Sequence, residues 1–253
     1  MQICIKDMRD KKRFIVSPKY KDIPLATKEL VTIIILGEDH GHRMKSHGPL
    51  SLINFGEKTI IEKQVETIKS CFTNFEIILC SGFEVTKVAN FIKSKFSNIN
   101  IRIVENQMHY HSNCCESARL CLNNTMNNRI ILFDGSIIIN NNHLQKVNLD
   151  TSCILIQNSP YNSNFEVGVI HNDNLLENMS IGLKSKYWSE ILYLYGHKDI
   201  NHFSNIISNP DFKNKFMFEA INEMNKKSKL LVVENSDLSI KIDNIKTLKG
   251  MLK

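Results

Sequence analysis

A loop rich in glycine, histidine and acidic residues carries the clearest chemistry in the sequence. Residues 36–44 read LGEDHGHRM and continue an apolar run at 31–36. Glycines after a strand can present backbone N–H groups to a phosphate, and Arg43 can pair with a phosphate through two hydrogen bonds. The spacing matches neither a G-x-G-x-x-G loop nor a Walker A loop. By itself the segment therefore predicts an ordinary strand exit, with phosphate binding as the alternative.

Histidines in two loops offer a second chemistry. His40, His42 and His47 lie in the first loop, and His109 and His111 lie in a later one. If both loops border one crevice, their imidazoles could bind Zn²⁺ or a similar transition metal. Because a two-residue spacing in a loop is not a specific ligand pattern, we expect exposed or phosphate-contacting histidines instead.

The elements that position these loops alternate between strands and helices. Apolar runs predict strands over 31–36, 75–80, 101–104 and 130–133, and helical spacing predicts helices over 59–72, 84–96 and 113–122. This order predicts right-handed crossovers and an α/β fold with a mainly parallel twisted sheet flanked by helices. Ligands of such sheets bind beyond the carboxyl ends of the strands, where the polar loops begin.

The second half of the chain is less regular. We predict strands over 152–157, 166–171 and 230–233, and helices over 187–195, 212–225 and 244–252. Trp188, Tyr187, Tyr193 and Tyr195 could line a pocket for a quaternary ammonium group, but packing is the expected role of aromatics at this spacing. Residues 1–30 are expected to form an N-terminal extension, and residues 31–253 a single domain.

Composition narrows the classes of function. The chain has 253 residues and a formal net charge of +6. This charge suits phosphorylated small molecules better than a nucleic-acid groove, so nucleic acid is not an expected partner. The seven cysteines form no C-x-x-C pair, which argues against a disulfide framework or a zinc ribbon. No apolar run is long enough for a membrane span and no secretory signal is recognisable, so the cytoplasm is the expected compartment.

The first loop and the helix after it resemble the signature of nucleotidyltransferases that activate sugar phosphates and choline phosphate. Their pattern is L-A-A-G-x-G-x-R-[LM] followed by P-K-x-L, and Leu36, Gly41, Arg43 and Met44 match it in register. Residues 49–52 read PLSL at the position of P-K-x-L. Residues 56–64 then resemble the G-x-x-[IL]-[IL]-x-x-Q continuation into the first helix.

Later motifs are similar to those of the bacterial choline-phosphate cytidylyltransferases. Asn106, Asn113 and Ser117 have the spacing that follows the third strand in that family. The family's next strand ends in D-x-D or G-D, and here residues 134–136 read DGS. Residues 218–219 and 242–243 resemble its C-terminal motifs. Because this order runs from residue 31 to residue 253, the resemblance implies a nucleotidyltransferase (glycosyltransferase-A-like) fold.

This resemblance implies transfer of a nucleotidyl group, CMP from CTP being favoured, to a phosphorylated small molecule with release of pyrophosphate. It implies Mg²⁺ as cofactor, leaves a homo-oligomer open and predicts no membrane partner. The implied catalytic residues are Arg43, Lys45 and Asp134, the implied nucleotide- and acceptor-binding residues are Gly37, Gly41, Asn113, Ser117 and Glu219, and the implied metal ligands are Asp134 and Asp243.

Three positions depart from the family pattern. The lysine of P-K-x-L is Leu50, the second aspartate of D-x-D is Ser136, and the first glycine of the loop is Asp39. A leucine cannot meet phosphate charge, and a neutral hydroxyl is a poor Mg²⁺ ligand. Lys45 is the nearby cation that could replace the lost charge. The alternatives are therefore a catalytically degenerate binding or structural module and a nucleotide-sugar glycosyltransferase.

Overall fold

A computed structural model describes residues 2–8, 11–17, 29–38, 47–139, 144, 150–158, 167–235 and 239–242. Within these residues an eleven-stranded mixed sheet forms the centre of the fold. Its strands, in chain order, are β1 (Gln2–Met8), β2 (Lys11–Ser17), β3 (Val31–Gly37), β6 (Phe75–Ser81), β7 (Ile101–Glu105), β8 (Arg129–Asp134), β10 (Cys153–Asn158), β11 (Val167–Asn172), β12 (Leu175–Ile181), β13 (Tyr187–Tyr195) and β14 (Leu231–Asn235).

Two small pairs of strands lie beside the sheet. They join β4 (Asn54–Phe55) to β5 (Lys58–Thr59), and β9 (Ile137–Ile138) to β15 (Ile240–Lys241). The helices of the described residues are α1 (Ile60–Cys71), α2 (Val85–Lys95), α3 (Cys114–Leu122), α4 (Gly196–Ser208) and α5 (Met217–Asn225). Short 3₁₀ turns cover Leu50–Leu52 and Pro210–Phe212.

The predicted parallel core is present. Strands β7, β6, β3 and β8 are neighbours in that order and pair in parallel. All seven residues of β3 are buried, because helices cover both faces of this part of the sheet. Helix α3 packs on one face with α4 and α5, and α1 and α2 pack on the other. The predicted α/β fold class is confirmed.

One predicted helix is wrong. Residues Tyr187–Tyr195 form β13, which pairs with β8 and β10 on either side. Residues 191–194 are apolar and all buried, so this part of the segment has no periodicity that separates a strand from a helix. The packing role predicted for the aromatics is confirmed for Trp188 and Tyr193, which are 5% and 0% exposed.

Other boundaries also differ from the prediction. The strand β12 and the helix α4 were not predicted, and the helix predicted over 212–225 begins at Met217. The N-terminal segment contributes the hairpin of β1 and β2, and β2 pairs antiparallel with β7. The helix predicted over 244–252 lies outside the described residues. No helix in the described ranges has the length and apolar character that crossing a membrane requires.

Candidate functional site

Four parallel strands bring their carboxyl ends to one edge of the sheet. Gly37 at the end of β3 pairs with Ser81, and Ser81 pairs with Glu105. On the other side of β3, Leu36 pairs with Asp134 at the end of β8. Neighbouring strands lie about 4.8 Å apart, so the residues that follow these strands border one crevice. The sequence predicted a ligand site at this edge.

The turn after β8 holds Asp134 through two hydrogen bonds. The backbone N–H of Ser136 donates to Asp134 Oδ1 over 2.7 Å, and the Ser136 hydroxyl donates to the same oxygen. Asp134 is half-buried, whereas Ser136 is 6% exposed. Both bonds end on Oδ1, so they fix the orientation of the carboxylate.

The same turn packs closely against β3. The N–H of Gly135 donates to the carbonyl of Leu36 over 2.8 Å. A Cβ atom at Gly135 would lie 2.8 Å from Gly37 Cα, which is closer than real Cβ contacts come. Position 135 therefore needs glycine, because the turn bearing Asp134 could not otherwise seat against Gly37.

A second acid lies at this edge. Glu38 directly follows β3 and is 7% exposed. The pKa of the Cys114 thiol is raised well above its usual value, first by its interaction with Cys115 and by burial, and then by the negative charges of Glu38 and Asp134. Because these charges act on Cys114, the ends of β3 and β8 lie close to the first turn of α3. Sequence analysis missed Glu38, although an acid directly after a buried strand was a usable signal.

Asn113 and Ser117, which were predicted near the nucleotide, both lie at the β7–α3 connection. Asn106 is 1% exposed, and its side-chain amide donates to Ser117 Oγ over 2.9 Å. Ser117 itself is fully buried. The Asn113 side chain caps α3 by accepting a hydrogen bond from the N–H of Cys114 over 2.8 Å. These side chains thus hold the β7–α3 connection, and their contact with a ligand stays a prediction.

Glu219 lies at the start of α5, which borders α3. Its carboxylate accepts hydrogen bonds from the N–H of Phe216 over 2.9 Å and from Lys215 Nζ over 2.7 Å. The N–H of Met217 donates to Cys114 Sγ over 3.1 Å. The structure therefore brings Glu219 to the side of the crevice that Asn113 and Cys114 occupy. An acceptor-binding role for Glu219 stays a prediction.

Leu50 is packed in a small apolar cluster. It is 4% exposed and lies with Ile53, Ile60 and Ile242. Three half-buried residues, Phe55, Ile138 and Ile240, complete this cluster. The position at which the resemblance places a phosphate-binding lysine is thus part of the protein interior.

Several predicted site residues lie outside the described residues. These are Arg43, Lys45, Gly41, Asp243, His40 and His42. The chain is described up to Ile242, whose N–H donates to the Ser136 carbonyl over 2.9 Å. The residue that directly precedes Asp243 is therefore hydrogen-bonded to the turn that carries Asp134.

The sequence left a magnesium site and a histidine site open, and the described residues contribute to the comparison of the two. They contain no group of three or more histidine, cysteine, aspartate or glutamate side chains placed to hold a metal. His109 instead hydrogen-bonds the Asn106 carbonyl through Nδ1 over 3.1 Å and packs on Tyr110. Mg²⁺ is usually held by one or two carboxylates together with substrate phosphates and water. A fixed, half-buried Asp134 fits that demand as one ligand.

Solved structures share this fold. The inositol-1-phosphate CTP transferase from T. maritima superposes with a TM-score of 0.73 at 13% identity, over 87% of this chain and 94% of that chain. CTP:phosphocholine cytidylyltransferase from Streptococcus pneumoniae gives 0.67 at 16% identity, over 88% and 97%. A protein described as a glucose-1-phosphate thymidylyltransferase from Bacillus anthracis gives 0.71 at 17% identity, over 88% and 94%.

Comparison of the sequence alone gives no match: no family model and no curated protein matches it. The solved structures show that the chain has the nucleotidyltransferase fold, as the motif order predicted. At identities of 13–17% they show the fold alone.

Proposed function

We propose that this protein transfers a nucleotidyl group from a nucleoside triphosphate, CTP being favoured, to a phosphorylated small molecule. The observation that carries the proposal is the hydrogen-bonded Asp134 at the carboxyl end of β8, the last of the four neighbouring parallel strands. An oriented carboxylate at this edge is the group that a magnesium-bound triphosphate requires.

In the proposed reaction a phosphate oxygen of the acceptor attacks the α-phosphorus of the nucleotide. The bond from that phosphorus to the bridging oxygen breaks, and pyrophosphate leaves with the electron pair. Bound Mg²⁺ would supply charge neutralisation at the phosphates. Asp134 and Asp243 are the proposed residues that would hold it, since the N–H of Ile242, the residue before Asp243, donates to the turn that carries Asp134.

The other residues around the crevice are proposed to bind the nucleotide and the acceptor. Arg43 and Lys45 are proposed to meet the triphosphate charge, with Gly37 and Gly41 giving the phosphates access to the backbone. On the α3 side, Asn113 and Ser117 are proposed to shape the nucleotide site. Glu219 would face the acceptor there, next to the stacked rings of Phe216 and Phe218, whose centroids are 5.8 Å apart.

A catalytically degenerate module is the second candidate, and two observations favour it. Leu50 is buried with apolar neighbours, and the neutral Ser136 stands two residues after Asp134. Such a protein would bind nucleotide without releasing pyrophosphate. A nucleotide-sugar glycosyltransferase, the third candidate, would release a nucleoside diphosphate.

Product analysis separates these candidates. The full chain is incubated with Mg²⁺, each of the four nucleoside triphosphates and a panel of sugar, polyol and choline phosphates, and pyrophosphate is measured. We expect release with at least one pair, and a loss of about 10²–10³ in rate in Asp134→Asn. Nucleotide binding without any pyrophosphate would support the degenerate module, and release of nucleoside diphosphate would support the glycosyltransferase.

A further inference from the structure

Gln64, on the buried face of α1, grips the turn that carries Asp134. The side chain is 1% exposed. Its Nε2 donates to the carbonyl of Gly135 over 2.9 Å and to the carbonyl of Ile137 over 2.8 Å. The two acceptors flank Ser136, so both N–H groups of one amide are used to hold a three-residue turn.

The same side chain leaves its own carbonyl oxygen buried and unpaired. Gln64 Oε1 is buried and has no hydrogen-bond partner in the part of the chain that the structure describes. Exchanging the amide nitrogen and oxygen would point Oε1 at two carbonyl oxygens, so the observed orientation is the favourable one. An unpaired buried carbonyl is destabilising, so each such group in a native structure calls for an explanation.

The turn passes this restraint to Asp134 and to the described segment that ends at Ile242. Ser136 donates from its backbone N–H and its hydroxyl to Asp134, and its carbonyl accepts the N–H of Ile242, the residue before Asp243. A rotation of the 135–137 backbone would therefore move Asp134 and the segment leading to Asp243 together. Gln64 is the side chain that opposes this rotation from the α1 side.

We propose that Gln64 is a positioning residue that fixes the orientation of the Asp134 carboxylate, and through it the affinity for a divalent cation. This inference rests on the proposed function, because it assumes that Asp134 binds the cation. The amide acts through the backbone carbonyls of Gly135 and Ile137, to which its Nε2 donates both hydrogen bonds. Groups that orient metal ligands typically change metal affinity by about 10–100-fold when removed.

The matched control lies one turn further along α1. Thr67 Oγ1 donates to the carbonyl of Ile139 over 3.2 Å, which is the same kind of contact beyond the turn. Thr67→Val removes one such hydrogen bond with little change of shape. Gln64→Met removes both donors and keeps the length of the side chain. Gln64→Asn keeps the amide but is too short to reach both carbonyls, and it decides the question if the methionine variant does not fold.

The full chain is titrated with Mn²⁺, and electron paramagnetic resonance reports the concentration of free ion. This measures the affinity for the cation without turnover. We expect the dissociation constant to rise about tenfold in Gln64→Met or Gln64→Asn and to stay within about twofold of wild type in Thr67→Val. At saturating Mg²⁺, the KM for nucleotide of the Gln64 variants should match wild type. If Gln64 had a purely structural role, its variants would have a lower melting temperature but no selective loss of cation affinity over nucleotide KM.

The outcomes are distinguishable. If wild type binds Mn²⁺ and the folded Gln64 variants bind it equally well, the positioning role is overturned and the proposed function stands. The positioning role is also overturned if Thr67→Val weakens binding as much as the Gln64 variants do. If wild type binds neither Mn²⁺ nor nucleotide, the proposed function fails and this inference fails with it.

Discussion

Two segments at the same edge of the sheet have been shaped in opposite ways. The 134–136 turn is polar and half-buried, and every hydrogen bond described for the Asp134 side chain ends on one oxygen. The 49–52 segment is a 3₁₀ turn whose Leu50 is enclosed by Ile53, Ile60 and Ile242. Both segments occupy positions where the resembled family carries charged groups.

The difference concerns two roles in phosphate binding: a carboxylate that holds a cation, and a cationic side chain that contacts phosphate. In the 134–136 turn the carboxylate that we propose as a cation ligand is present and oriented by hydrogen bonds. The cationic task at position 50 has been lost to packing, because an ammonium group enclosed by isoleucines would be desolvated. If the protein is active, its phosphate-binding cations must come from another segment, and Arg43 and Lys45 are the proposed ones. Ile242 links the two segments, because it packs with Leu50 and its N–H donates to the Ser136 carbonyl.

Replacing Leu50 with the lysine of the P-K-x-L pattern has the largest expected effect. Leu50→Lys is expected to destabilise the protein by about 3 kcal/mol or more, because it places a charge among apolar side chains. The free energy of unfolding from urea titration measures this change, and Leu50→Met, of nearly equal volume, should cost less than about 1.5 kcal/mol. A Leu50→Lys variant that stays stable and turns over faster would show that position 50 faces substrate.

Restoring the family's second aspartate has a smaller effect that depends on Mg²⁺. In Ser136→Asp a second carboxylate replaces the hydroxyl that donates to Asp134, so we expect a loss of about 1–3 kcal/mol without Mg²⁺. Because the cation would bind two adjacent carboxylates, Mg²⁺ should raise the melting temperature of this variant more than that of wild type. Ser136→Ala is the control, with about 1 kcal/mol lost and no added response to Mg²⁺. An equal Mg²⁺ response in all three proteins would place the cation elsewhere.

The parallel half of the fold was predictable because its patterns are regular. The strand β3 is a continuous apolar run that ends in glycine, and α1 shows helical spacing after Thr59, which caps it. The second half was harder. In β13 the residues 191–194 are all buried, so the strand shows no alternation. The strand β12 alternates weakly, with Leu176 and Met179 buried among exposed residues.

The site was predictable where type and spacing carry the signal. Asp134 was predicted because residues 134–136 resemble the D-x-D motif that ends this strand in the nucleotidyltransferases, and the structure places it at the expected edge. The role of Gln64 was not found, because its acceptors are backbone carbonyls more than seventy residues away. Likewise, the sequence marked Leu50 as a departure but could not show which residues enclose it.

Calorimetric titration with nucleoside triphosphate and Mg²⁺, applied to wild type, Asp134→Asn and Leu50→Met, compares the two segments in one experiment. We expect saturable, Mg²⁺-dependent binding in wild type and in Leu50→Met, and at least about tenfold weaker binding in Asp134→Asn. This result would assign nucleotide binding to the 134–136 turn and packing to Leu50. Equal binding by wild type and Asp134→Asn, or no binding by wild type at millimolar nucleotide, would contradict it.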